Sequence, residues 1–302
     1  MMYFADNSRG KTYAKDPAVV FFGGRYLLYY SVPPWWDGRP NDGWIIGVAE
    51  SSDLDNWTKI TDLPRFTELE KNGFCAPGAI VLDGKVHLFY QTYGNGAKDA
   101  ICHAVSDDGI HFTPDATNPV FHPTGEWTCG RAIDADVIPF KGRLWLYVAT
   151  RDPEMEIQKL AVASAPLDSD FGRETWRQEC DDSILQPELP WEQKCIEAPA
   201  LCEYDGKLYL FYGGAYNNSP QQIGCAVSDD AIHWKRVSDS PVLPSGEPGS
   251  WNSSESGHPF AFTAPDGSQH LFYQGNNDGG RSWYLSRKPI RWENGVPRFD
   301  LP

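Results

Sequence analysis

"KCIEAPALCEYDGKLYLFYGG", residues 194–214, reads as an apolar strand, a tight turn at Gly206, and a second apolar strand rich in Leu, Tyr and Phe. Glycine suits such a turn because it takes positive φ at no steric cost. One residue in the stretch looks misplaced. Glu197 stands between Ile196 and "APAL". A carboxylate among apolar neighbours is costly unless it is paired, hydrogen-bonded or protonated.

The stretch has four relatives in the chain. They are "KDPAVVFFGGRYLLYYS" (15–31), "CAPGAIVLDGKVHLFYQ" (75–91), "IDADVIPFKGRLWLYVA" (133–149) and "GHPFAFTAPDGSQHLFYQG" (257–275). Their turn glycines, Gly24, Gly84, Gly142, Gly206 and Gly267, are spaced 60, 58, 64 and 61 residues apart. Each unit continues into a third strand, a polar turn and an aromatic residue that opens a fourth strand. The aromatics are Trp57, Phe112, Trp176, Trp234 and Trp292. The Ser-Asp-Asp clusters in "HAVSDDGIHF" and "CAVSDDAIHW" are turn formers, because short polar side chains bond nearby backbone. Four strands repeated five times predict an all-β, five-bladed β-propeller of antiparallel blades, with its site in the central funnel. The five units fill residues 1–302 as one domain. Helix content is expected to be low, since no segment sustains a 3.6-residue apolar period.

Composition narrows the partners. The net charge is −15 and no run of Lys or Arg occurs, which argues against nucleic acid and anionic membrane. The seven cysteines are odd in number and lack Cys-x-x-Cys spacing, so buried thiols in a reducing compartment are expected. The opening "MMYFADNSRGKTYAKD" has no apolar signal core, and no run of 18 apolar residues follows. A soluble, cytoplasmic protein is the expectation.

What differs between the repeats carries chemistry. Alignment on the turn glycines places Asp16, Cys75, Asp134, Glu197 and His258 at one level of the channel, eight or nine residues before each glycine. Three carboxyls and a histidine then share one funnel. Like charges that close repel, so at least one carboxyl should have a raised pKa, the separation of roles that acid–base chemistry needs.

"KDPAVV", "AIDADV" and "IEAPAL" resemble the three carboxylate motifs of five-bladed glycosidases, most closely glycoside hydrolase family 43. The resemblance spans nearly the whole chain and includes the "SDD-x-x-HW" turn. It implies that Asp16 is the general base that activates water and Glu197 the general acid that protonates the leaving oxygen. Asp134 would orient Glu197 and hold its pKa up. Glycoside cleavage needs one protonated and one ionised carboxyl across the scissile bond, about 6.5–9.5 Å apart if the reaction inverts. One departure is Ala135, where the family usually has proline. Asp136 follows it and, two residues on along a strand, competes with Asp134 for the inward face. His258 matches a histidine that in this family sits near the axis, often beside calcium or its waters. No cofactor is required, and a structural calcium beside His258 is the metal to look for. Arg281, in "GGRSWYLS", is a candidate for binding sugar hydroxyls or tuning the acid, and Arg131 is a weaker one.

Sugars offer apolar ring faces that stack on aromatics. Trp127, Trp191 and Trp251 precede Asp134, Glu197 and His258 by six or seven residues. Because they repeat, packing between blades is the simpler role for them, with Trp127 kept as a candidate contact. Trp35 and Trp36, in "SVPPWWDGRPNDGW", do not repeat and are the better platform. The reading is an inverting, exo-acting glycosidase that removes a terminal arabinofuranoside or xyloside from a short oligosaccharide. Its rivals are a related 3,6-anhydro-galactosidase of the neoagarobiose type and a propeller that binds glycans without cleaving them. Retaining fructosidases fit less well, because they expect Asn and Cys where Lys15 and Ala198 stand.

Overall fold

The computed structural model describes residues 2–36 and 42–300. Blade one holds β1 (Lys15–Phe22), β2 (Arg25–Val32), β3 (Ile45–Ser51) and β4 (Thr58–Asp62). Blade two holds β5 (Phe74–Leu82), β6 (Lys85–Thr92), β7 (Ile101–Ser106) and β8 (Thr113–Pro114). Blade three holds β9 (Ile133–Phe140), β10 (Arg143–Arg151), β11 (Gln158–Pro166) and β12 (Arg177–Gln178). Blade four holds β13 (Ile196–Tyr204), β14 (Lys207–Gly214), β15 (Gln222–Ser228) and β16 (Lys235–Arg236). Blade five holds β17 (Glu255–Thr263), β18 (Gln269–Asn276) and β19 (Tyr284–Pro289). The first strands pack side by side around the axis, and β17 closes the ring onto β1. This is the five-bladed, all-β propeller that the repeat predicts. No described helix is long and apolar enough to cross a membrane.

The fifth blade departs from expectation. The repeat predicts that Trp292 opens its fourth strand. It lies instead in β20 (Arg291–Glu293), which pairs only with β21 (Val296–Arg298), and its ring stacks on Tyr204 at 4.4 Å. The outer edge of β19 is taken by the N-terminal segment. Phe4 and Leu285 exchange backbone hydrogen bonds of 2.9 and 2.8 Å. An open strand edge leaves unpaired N–H and C=O groups, and the chain's first residues cover this one.

That segment is fixed to blade one by a buried carboxylate. Asp6 accepts the Tyr30 hydroxyl at 2.9 Å, the Lys59 ammonium at 2.6 Å and the Ser8 N–H at 2.7 Å. The same device recurs where Tyr90 donates to Glu70 and Tyr212 to Glu192, each 0% exposed. The Ser-Asp-Asp turns are structural. Ser228 Oγ accepts the N–H of Asp230 and Ala231, and Asp230 Oδ1 accepts those of Ile232 and His233.

The functional geometry comes from a bulge repeated at the start of every first strand. Register breaks between Lys15 and Ala18, Cys75 and Gly78, Ile133 and Asp136, Glu197 and Ala200, and Gly257 and Phe260. One residue in each has left-handed backbone: Asp16 (φ 52°), Ala76 (46°), Asp134 (55°), Ala198 (52°) and His258 (42°). Proline follows in four of the five, at Pro17, Pro77, Pro199 and Pro259. Proline has no N–H to give a ladder, so a bulge is where it fits.

Asp6→Ala should destabilise the fold by about 1–3 kcal/mol, because it strands the buried Tyr30 hydroxyl and takes one partner from Lys59, which keeps Asp62 and Ser8. Burial alone would raise the Asp6 carboxyl, but Lys59 and the Ser8 donors outweigh it and hold it below the usual value. Its contribution is therefore present above about pH 4 and is lost as pH falls through the lowered native value. Urea unfolding of wild type and variant should show a gap that narrows below pH 4.

Candidate active site

One end of the channel is a cavity of about 200 Å³ whose wall includes Asp16, Cys75, Asp134, Glu197 and His258. All five first strands thus meet there, but not at one level. Strand pairing aligns Glu197 with Lys15, Cys75, Ile133 and Gly257, opposite Gly213, Ser31, Gln91, Ala149 and Gln274 respectively. Asp16 and Asp134 belong to the next level, with Ala76, Ala198 and His258. Counting back from the turn glycine gives eight residues for Asp16 and Asp134 but nine for Cys75 and Glu197, and that one residue is the step in level; His258 also counts nine because the turn between β17 and β18 is longer than the other four.

Each left-handed residue needs an acceptor for its N–H, and four find it in a side chain of the preceding blade. Asp16 donates to Gln274 Oε1 (3.1 Å), Ala76 to Ser31 Oγ (2.8 Å), Asp134 to Gln91 Oε1 (2.6 Å) and His258 to Gln221 Oε1 (3.0 Å). Ser31, Gln91 and Gln274 are equivalent positions in their blades. In blade four that position is Gly213, and a Cβ there would lie 2.9 Å from Gln221 Cδ. The missing side chain makes room for Gln221 to do the same work from the edge of β15. With its acceptor end spent on His258, Gln221 gives Nε2 to Glu197 Oε1 at 2.6 Å. Gln158 Nε2, from β11, donates to Glu197 Oε2. Two buried amides therefore fix the plane of the Glu197 carboxyl.

The other two acids differ electrically. Burial would raise Asp16, but His258, whose Nδ1 is 3.1 Å from Oδ1, and Lys15, 4.0 Å away, overcome it with the help of Ser31. Asp16 is held below the usual carboxylate range. Asp134 is pushed up to about 7, first by burial and then by the like charges of Glu197 and Asp16, against the pull of His258 and Arg131. The Cys75 thiol is pushed well up by burial beside Asp16 and Asp134.

Asp136 does not share the funnel with Asp134. The left-handed residue at 134 breaks the strict alternation, so residues i and i+2 part company. Asp136 lines a separate cavity on the axis, where Oδ1 accepts the Val137 N–H and Oδ2 the Leu201 N–H at 2.9 and 2.7 Å. It clips blade three to blade four.

His258 Nδ1 faces Asp16 Oδ1 at 3.1 Å, and among the described residues no group of three His, Cys, Asp or Glu side chains is placed to hold a metal. Calcium takes six to eight oxygens. The side chains beside His258 do not by themselves fit it. Arg131 lines the cavity, 3.5 Å from Asp99. Arg281 does not line it: the residue is exposed, lies before β19, and its Nε donates to the Asp278 carbonyl at 3.0 Å. Trp127 packs against the core of blade three beneath the Lys159 ammonium, outside the cavity wall. Trp191 and Trp251 likewise pack on Tyr212 and Tyr273. Of the platform candidates, Trp35 lies under the Arg9 guanidinium and Trp36 is 61% exposed beside Lys11, both outside the wall. Residues 37–41 of that loop are outside the described residues. The tryptophan on the wall is Trp44, wedged edge-on between Tyr13 and Tyr93. Reading the sequence missed Lys15, Arg151, Gln158 and Gln221. Lys15 had a signal, since it precedes Asp16 at the level that Glu197 occupies.

A family model described as "Glycosyl hydrolases family 43" matches residues 6–297. Solved structures share the fold. One, a thermostable family-43 glycoside hydrolase, superposes with a TM-score of 0.79 at 22% identity, covering 99% of this chain and 96% of that one. An α-L-arabinofuranosidase from Lactobacillus brevis gives 0.73 at 18% identity, covering 96% and 94%. An endo-1,4-β-xylanase from Bacteroides thetaiotaomicron VPI-5482 gives 0.73 at 23%, covering 95% and 94%.

Asp134 has a consequence for stability. With its native pKa raised to about 7, the folded state keeps a proton that the unfolded chain releases near pH 4. Its contribution to stability therefore falls as pH rises from about 4 to 7. Asp134→Asn should remove that slope, gaining on the order of a few kcal/mol relative to wild type between pH 5 and pH 8. Urea unfolding at the two pH values checks it.

Proposed function

Because this chain belongs to glycosyl hydrolase family 43, and is thereby a carbohydrate-active hydrolase, we propose that it is an inverting, exo-acting glycosidase. It releases a terminal arabinofuranosyl or xylosyl unit from a short oligosaccharide. Asp16, ionised, takes a proton from water as the water oxygen attacks the anomeric carbon. Glu197 gives a proton to the departing glycosidic oxygen as the carbon–oxygen bond breaks. Asp134 binds beside them and, holding a proton near neutrality, limits the repulsion among the three acids.

The observation that carries this reading is the unequal treatment of carboxyls on one small cavity wall. Asp16 is held ionised by His258 and Lys15, while Glu197 is gripped on both oxygens by amides. Acid–base hydrolysis of a glycoside needs two carboxyls with separate duties. A volume of about 200 Å³ is below the 300–1,000 Å³ typical of drug-sized ligand pockets, which suits a single terminal sugar. Trp44 offers that sugar an aromatic edge. The pentose preference is motivated by relatives of the same fold, which include an arabinofuranosidase and a xylanase.

A panel of 4-nitrophenyl α-L-arabinofuranoside, β-D-xyloside and other pentosides, run beside neoagarobiose, tests the substrate class. Turnover of neoagarobiose alone would favour the anhydro-galactosidase reading. On the substrate cleaved, Glu197→Gln and Asp16→Asn should each lower kcat by roughly 10²–10⁴-fold. Turnover unchanged in Glu197→Gln would remove the catalytic assignment, and absence of turnover on every glycan would favour a binding protein.

A further inference from the structure

Glu255 is a buried acid that the reaction as proposed does not use. It opens β17 and is 0% exposed. Two residues before the bulge level, the other repeats carry Tyr13, Gly73, Arg131 and Cys195, so the fifth alone places a carboxyl there. Three N–H donors converge on it. Gln274 Nε2 reaches Oε1 at 2.8 Å, Asn217 Nδ2 the same oxygen at 3.3 Å, and the Asn218 N–H reaches Oε2 at 2.7 Å.

Both amide side chains lead to the base. Gln274 uses its other end, Oε1, to accept the Asp16 N–H. Asn217 uses its Oδ1 to accept the Lys15 ammonium at 2.9 Å. Since Lys15 and Asp16 are neighbours in the chain, the hydrogen bonds close a loop: Asp16, Gln274, Glu255, Asn217, Lys15. Each amide has one orientation that satisfies both of its partners, so the loop has a single sense. It holds Lys15, whose ammonium also lies 4.5 Å from the Trp283 ring, against the wall of the cavity and 4.0 Å from Asp16.

We propose that Lys15 is a further functional residue of the hydrolysis, the fixed countercharge of Asp16, and that Glu255 is the positioning residue that holds it there through Asn217. The proposal rests on Asp16 being the base. The groups that face Asp16 are His258 from β17, Lys15 from its own strand, the Ser31 hydroxyl from β2, Cys75 from β5, Asp134 from β9, and the phenols of Tyr13 and Tyr93. Of these, Lys15 is the ammonium, and the loop fixes it 4.0 Å from Asp16. Burial alone would discharge Lys15, but Asp16, Tyr13 and Glu255 keep its pKa raised. Without that charge, the proton shared among crowded acids spends more time on Asp16, where it blocks the reaction.

Two measurements test this. In the first, kcat/KM is followed against pH for wild type, Lys15→Gln, Lys15→Arg and Asn217→Ala on the nitrophenyl pentoside that wild type cleaves fastest. Lys15→Gln should move the acid limb up by about one pH unit with KM little changed. Lys15→Arg should recover most of the shift, and Asn217→Ala, which cuts the loop at an exposed residue, should show part of it. An unmoved limb in Lys15→Gln, or a raised KM at constant kcat, overturns the proposal. The second needs no substrate. In a thermal-melting cycle at pH 7, Lys15→Gln should lower Tm in wild type by at least twice as much as it does in Asp16→Asn. Equal losses overturn the pairing. Should Asp16→Asn keep full activity, the base assignment fails while the melting cycle still reports on the pair.

Discussion

The site depends on a backbone N–H that its own sheet does not use. At each bulge a non-glycine residue with positive φ costs about 1–2 kcal/mol. Its amide, buried at the axis, would cost about 1–3 kcal/mol more if left unpaired. In four of the five blades a side chain of the preceding blade accepts that amide. Sliding one blade against the next would break the bond and leave the strain uncompensated. The constraint that sets the spacing of the blades is therefore the constraint that aims Asp16, Asp134 and His258.

Blade four shows how the repeat was adapted. Its acid sits one residue earlier, on the level of Lys15 and Cys75, and its second strand has Gly213 where blades one, two and five have an acceptor. Gln221 fills the gap and joins the ring of bulge amides to the Glu197 carboxyl. With Gln158 on the other oxygen, the glutamate is the acid of the three that amides hold, whereas Asp16 is held by cations and Asp134 mainly by burial. Three carboxyls in one cavity thus acquire three different environments, which is the condition for dividing acid, base and supporting roles among them.

The periodic features were legible in the sequence, and the features that break the period were not. Five glycine turns and five Leu-Tyr-Phe strands are enough to write the propeller, and Asp16, Asp134, Glu197 and His258 stand out because they differ at one aligned place. Counts of eight and nine residues before the glycine put Asp16 and Glu197 at one level, whereas strand pairing sets Glu197 beside Lys15, one residue earlier. The bulge separates Asp136 from Asp134, which strand alternation would have put on one face. The last outer strand was misplaced because Phe4, some 280 residues away in sequence, supplies the pairing partner of Leu285. Long side chains reaching across blades, such as Gln221, Gln158 and Lys15, carry no local signal. Their roles come from contacts between distant segments. Tryptophans were ambiguous for the opposite reason: Trp127, Trp191 and Trp251 repeat because they pack, and Trp44, which faces the cavity, looks no different in sequence from Trp35 and Trp36.

The central claim is that Asp16 and Glu197 act on opposite sides of one bond, with water delivered by the first. Proton NMR of the sugar released by wild type, recorded before mutarotation, tests it most directly. The account predicts that the first-formed anomer is inverted relative to the substrate. A retained anomer would mean that a carboxyl attacks the sugar itself, and it would contradict the assignment of Asp16 as a base.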